Sequence, residues 1–144
     1  MVKRLLVLAN PLWLVLLMGL SLSLAAIAED GENGGDGRIQ YIEMRPSFVL
    51  NYGEPTTIMR YAKVDISLRV NSAEAADHVE THMPALRNEI VLLLSQQQKS
   101  TMSDISGREG IRQTAIEQLN AILKEETGLE PIADLLFTAF VVQG

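Results

Sequence analysis

The last apolar run of the chain constrains its fold more than any other stretch. Pro131, Ile132, Ala133, Asp134, Leu135, Leu136, Phe137, Thr138, Ala139, Phe140, Val141, Val142 and Gln143 follow one another with Asp134 as their only charge. At a period of two, Leu135, Phe137, Ala139 and Val141 fall on one face, and Leu136, Phe140 and Val142 on the other. A strand apolar on both sides is expected at the centre of a sheet or covered on both faces. The rest of the chain must therefore supply that cover. An ordinary core strand accounts for such a run completely, so function has to be argued from other residues.

The chain has 144 residues, which suits one domain with an N-terminal extension. Setting residues 1–37 aside leaves about a hundred, enough for one modest core. There is no cysteine, which excludes disulfides and thiolate metal sites. The whole chain carries a formal net charge of −6. Lys3 and Arg4 precede every acidic residue, so the part after residue 28 is more acidic still. A nucleic-acid binder needs a basic face, and this composition argues against one.

Residues 1–28 open with Lys3 and Arg4 and continue uncharged from Leu5 to Ala28. Two readings compete for them. As a signal peptide, the segment has a basic start, an apolar centre and an Ala26-Ile27-Ala28 cleavage pattern before Glu29. As a membrane anchor, residues 5–28 would cross a hydrocarbon core of about 30 Å at about 1.5 Å per residue. Pro11 would kink such a helix near its start. The basic start leaves the N-terminus in the cytoplasm in both readings and puts the remainder outside the cytoplasmic membrane. Residues 29–37 are polar and glycine-rich, with no apolar side chain to bury, and read as a flexible linker or free tail.

The folded part begins with a short alternating strand over residues 38–44, ended near Pro46, and a second piece at Phe48, Val49 and Leu50. Asn51, Tyr52, Gly53, Glu54 and Pro55 form a turn-rich cluster. Ala62, Val64, Ile66, Leu68 and Val70 then alternate with Lys63, Asp65, Ser67 and Arg69, which predicts a long half-buried strand with one wet face. Asn71 and Ser72 can cap a helix that runs to about His82. Pro84 suits the first turn of a second helix, whose Leu86, Ile90, Leu93, Leu94 and Gln97 follow helical spacing. Residues 96–99 are polar and read as a frayed end. Ser106 and Glu109 fit a capping box that opens a third helix, with Ile111, Ala115, Leu119, Ile122 and Leu123 on one face. Gly128 is a stop signal for it. Strands, then long helices, then a strand predict an α+β domain, a mixed sheet with long helices on one side.

Few residues suggest chemistry. His78 and His82 share a helix face one turn from Glu74, a spacing able to hold a divalent metal. The intervening Val79, Glu80 and Thr81 do not match His-Glu-x-x-His, and a solvated polar face is the ordinary reading. Gly34, Gly35, Asp36 and Gly37 precede a strand and carry no lysine, so they make no phosphate loop. Ser95, Ser100 and Ser103 lack a nucleophile-elbow context, and Glu125 with Glu126 read as surface charge at a helix end. The expectation is a non-enzyme without cofactor or metal. Arg87, beside Leu86 in a proline-started helix, reads either as a surface arginine lying along apolar groups or as one half of an ion pair.

Five motifs in order resemble those of the flagellar basal-body FliL family over most of residues 38–143. They are Pro46-Ser47-Phe48-Val49-Leu50-Asn51, the strand led by Arg60-Tyr61, and Pro84-Ala85-Leu86-Arg87-Asn88-Glu89-Ile90. A helix from Gly110-Ile111-Arg112 to Leu119-Asn120 and the closing Phe137-Thr138-Ala139-Phe140-Val141-Val142-Gln143 complete the set. The resemblance implies a single-pass inner-membrane protein whose periplasmic domain, residues 38–144, has a stomatin-like fold. It also implies a ring-forming homo-oligomer that assists flagellar stator subunits of the MotA/MotB type in motility, swarming and chemotaxis. Family members carry a plain anchor, whereas this leader ends in Ala26-Ile27-Ala28. Cleavage at Ala28 would release the protein into the periplasm, where a scaffolding or binding module unconnected to the motor is the alternative role. Lys63, Asp65 and Arg69, on the wet face of the long strand, and Arg87 are the residues expected at a partner or subunit surface.

Overall fold

The computed structural model describes residues 37–144. The expected leader over residues 1–28, and all of the expected linker except Gly37, lie outside the described residues. Strands β1 (Gln40–Glu43), β2 (Phe48–Asn51) and β3 (Tyr61–Val70) come first. Helices α1 (Ala73–Thr81), α2 (Met83–Ser95), α3 (Lys99–Ser103) and α4 (Ile105–Thr127) follow, and β4 (Ile132–Gln143) closes the chain. The fold is α+β, with the helices packed on one face of the sheet. Among the described residues no helix is long and apolar enough to cross a membrane.

The sheet is built around β3. One edge of β3 pairs with β4 along its whole length, from Tyr61 opposite Gln143 to Val70 opposite Ile132. The other edge is shared in series, with β1 opposite Ser67–Val70 and β2 opposite Tyr61–Val64. Every pairing is antiparallel, which corrects the expectation of a mixed sheet. The reason lies in the helices, whose path out and back delivers Ile132 beside Val70, where β3 ended. The closing strand is also not central: among the described residues β4 pairs with β3 alone and is an edge.

Its two-sided apolarity has a different cause. The register shifts between Asp65 and Ile66 and between Arg69 and Val70, so Thr138 and Ala133 are extra residues on β4. A bulge of this kind breaks the period of two. Phe137 and Phe140, which simple alternation splits, lie opposite the buried Ile66 and Val64 and meet edge to face at 5.0 Å between centroids. Leu135 and Ile132 join them in the core, while Leu136, Ala139 and Val141 lie opposite Ser67, Asp65 and Lys63 on the other face.

The core receives Ala62, Val64, Ile66, Leu68 and Val70 from β3 and meets Val79, Leu86, Ile90, Leu94, Leu119 and Leu123 from the helices. Ser72 caps α1 as expected, its hydroxyl accepting from the Ala75 N–H at 3.1 Å. Pro84 sits in the first turn of α2. Residues 96–99 do not simply fray, because α3 starts at Lys99 and buries Met102 completely. The cap of α4 is Asp104 rather than Ser106. Its carboxylate accepts from the Gly107 N–H at 3.0 Å, and Glu109 turns instead to Arg112 and Gln113. Gly128 ends α4 in the left-handed conformation, φ 78°, with its N–H on the Lys124 carbonyl.

Candidate interaction surface

The face of β3 turned away from the helices carries Tyr61, Lys63, Asp65, Ser67 and Arg69. Cross-strand register extends it into a grid, because opposed residues project to the same side. Asn51, Tyr61 and Gln143 make one row, and Val49, Lys63 and Val141 the next. Beyond Asp65 and Ala139 come Glu43, Ser67 and Leu136, then Tyr41, Arg69 and Asp134. The apolar members stay open to solvent: Val49 is 68 % exposed, Tyr41 58 %, Val141 47 %, Tyr61 40 % and Leu136 39 %. Large apolar side chains gathered on one face beside charges are the composition of a contact surface.

The sequence-predicted residues divide. Lys63, Asp65 and Arg69 share this face, as alternation along β3 requires. Arg87 does not join them. It rises from α2 on the helix side, lays its guanidinium 4.2 Å from the centroid of the Phe48 ring and donates to the Met44 carbonyl at 2.8 Å. It thereby ties α2 to the segment that joins β1 and β2. Val49, Val141, Tyr41 and Leu136 were not singled out by sequence, and the signal that finds them is the β3 register together with the bulge.

Charges at the rim are organised from behind. Asp134 lies opposite Arg69, yet its carboxylate pairs with Arg112 of α4. Arg112 also holds Glu109 at 2.6 Å. Hydrogen bonds from Arg112 and then Gln113 pull the Glu109 carboxyl down from an ordinary 4.5 to about 2, and Glu109 in turn raises Arg112. Arg69 is left without a carboxylate, and its Nε is buried without a hydrogen-bond partner among the described residues. Asn120 seals the start of β4: its side-chain amide accepts from the Ile132 N–H at 3.0 Å and donates to the Ile132 carbonyl at 2.9 Å.

Where β1 leaves β3, a cavity of about 630 Å³ opens beside Asp65, with Glu43, Arg45, Pro46, Ser47 and Thr138 in its wall. The two histidines do not act together. His78 stands 3.7 Å from Glu74, while His82 forms the junction between α1 and α2. Among the described residues no group of three or more histidine and carboxylate side chains is placed to hold a metal ion.

The profile of the family described as flagellar basal body-associated protein FliL matches residues 41–143. The chain is also 26 % identical over 101 residues to the flagellar protein FliL of Aquifex aeolicus (strain VF5), a match covering 70 % of this chain and 60 % of that relative. The match thus spans less than two thirds of the relative's length. The family match takes in every strand and helix described above, from Tyr41 in β1 to the last residue of β4, and with that coverage the chain belongs to the FliL family of flagellar basal body-associated proteins.

Proposed function

We propose that this protein is a non-enzymatic accessory of the flagellar basal body, whose copies associate and whose open sheet face holds a periplasmic segment of a stator subunit of the MotA/MotB type. Support at the motor would then appear in motility, swarming and chemotaxis. The observation that carries this reading is the gathering of Val49, Val141, Tyr41, Tyr61 and Leu136 around Lys63, Asp65 and Arg69 on one face that no described element covers. Burying such apolar area against a partner contributes about 25 cal/mol per Å², enough for a few exposed side chains to matter. Arg87 serves that surface indirectly, by fixing the segment between β1 and β2.

In this reading residues 1–28 hold the domain at the inner membrane, with residues 38–144 in the periplasm. Sequencing the N-terminus of the protein from its own cell tests this: Lys3 and Arg4 still present support the anchor, and a start at Glu29 supports a released protein. The surface itself is tested by replacing Val49 and Val141 together with aspartate. Both side chains are exposed, so thermal unfolding should be unchanged. Localisation of a fluorescent fusion to the motor, and swarming, should be lost. Normal localisation of a folded double variant would refute the assignment.

A further inference from the structure

We propose that the cavity beside Asp65 is a receptor for the side chain of a lysine or arginine carried on an extended segment of a partner protein. It lies within the contact surface described above and rests on that reading, to which it adds the chemistry of the partner. The cavity opens where the chain between β1 and β2 leaves the edge of β3 at Asp65. Glu43 pairs opposite Ser67, the Met44 N–H still donates to the Ile66 carbonyl at 2.9 Å, and Phe48 pairs opposite Val64, so Asp65 alone has no residue paired beside it on that side. On the other side the bulge places Thr138 and the small Ala139 next to Asp65.

The lining matches a long basic side chain part by part. Pro46 offers apolar contact to an aliphatic stem, and the Ser47 and Thr138 hydroxyls can accept hydrogen bonds. The decisive group is Asp65. Glu43 at the rim is already paired with Arg45, whereas Asp65 has no ion-pair partner among the described residues. Lys63 and Arg69 share its face, but roughly 7 and 13 Å away along an extended strand. A cation entering here meets an unpaired carboxylate with acceptors on both sides, the arrangement that favours charge-assisted bonds. Arg45 also lines the cavity, but its guanidinium is taken up by Glu43, so an anion would still face the free Asp65 carboxylate, and a neutral side chain would leave it unpaired. The overall acidity of the chain, with a net charge of −6, adds long-range attraction for a basic segment.

The test uses the full-length chain in detergent micelles and a fluorescein-labelled, end-blocked Gly-Ala-Arg-Ala peptide. Its partner probe carries citrulline, which keeps the shape of arginine and removes the charge. Fluorescence anisotropy should show the arginine peptide binding on the order of tenfold tighter than the citrulline peptide. Asp65→Asn should abolish that preference, Asp65→Glu should restore part of it, and Asp77→Asn on α1 should leave it intact. Equal affinity for the two peptides, binding of neither, or a preference that survives Asp65→Asn would each overturn the proposal. A preference that holds while the Val49 and Val141 double variant still localises would remove the motor reading and leave the receptor standing. The reverse pair of results would remove the receptor alone.

Discussion

Arg87 joins segments that stand 43 residues apart in the chain, and it does so with two interactions of different kinds. Its planar cation covers the Phe48 ring, and one of its N–H groups satisfies a main-chain carbonyl where β1 ends. Stacking of this sort contributes about 0.5–2 kcal/mol, and a hydrogen bond from a charged donor about 1.5–3 kcal/mol. Arg87→Ala should therefore lower stability by about 2–3 kcal/mol in urea unfolding. Arg87→Lys should recover less than half, because an ammonium lacks the planar fork. Full recovery by lysine would mean that charge alone matters. Glu109 supplies a pH-dependent contribution. Its folded pKa of about 2 lies below the ordinary 4.5, so its stabilisation is complete above the higher value and disappears as pH falls towards the lower. The pair is half-exposed, and its size is modest. Glu109→Gln should lower the melting temperature at pH 7, with the gap to the parent closing by about pH 2. A gap that stayed constant across that range would show that the pair is not what the variant removed.

At the scale of elements, the junction of α3 and α4 rests on one glycine. A Cβ at Gly107 would overlap the backbone of Thr101, whereas a Cβ at Gly110 would meet nothing within 4 Å. The two lie in the same helix, so the same substitution should have opposite signs. Gly107→Ala should destabilise by about 1–3 kcal/mol through forced separation of α3 from α4. Gly110→Ala should stabilise by about 0.5–1 kcal/mol, because alanine suits a helix interior better. Chemical denaturation of both variants checks this, and two values of the same sign would mean that the close approach at Thr101 is not rigid. That approach also explains what sequence could not reveal. Ser106 with Glu109 and Asp104 with Gly107 both satisfy local capping rules, and only the neighbouring helix decides between them. β3 was legible because its alternation is a property of one strand. The faces of β4 were not, since its bulges depend on the register with β3. For the same reason Lys63, Asp65 and Arg69 could be placed on one surface from sequence, while Val49 and Val141 could not.

For the whole molecule, the question is what an open edge and an open face do together. Long edge strands usually carry charges or proline that discourage pairing with another chain. In β4 these defences stop at Asp134, with its tie to Arg112, and at the Asn120 amide that occupies Ile132. From Leu135 to Gln143 the strand holds no charge and no proline, and Leu136 and Val141 project to solvent. No described element pairs with this edge, and an apolar edge left so is unfavourable for a monomer and useful for a chain that assembles with its own kind. If copies associate here, Leu136→Lys with Val141→Lys should convert an oligomer into a monomer in sedimentation velocity. The thermal midpoint of the fold should stay within a few degrees of the parent, because neither side chain contributes to the core. An unaltered oligomer in the double lysine variant would place the subunit contact elsewhere. A parent chain that sediments as a monomer would remove self-association from the proposed role.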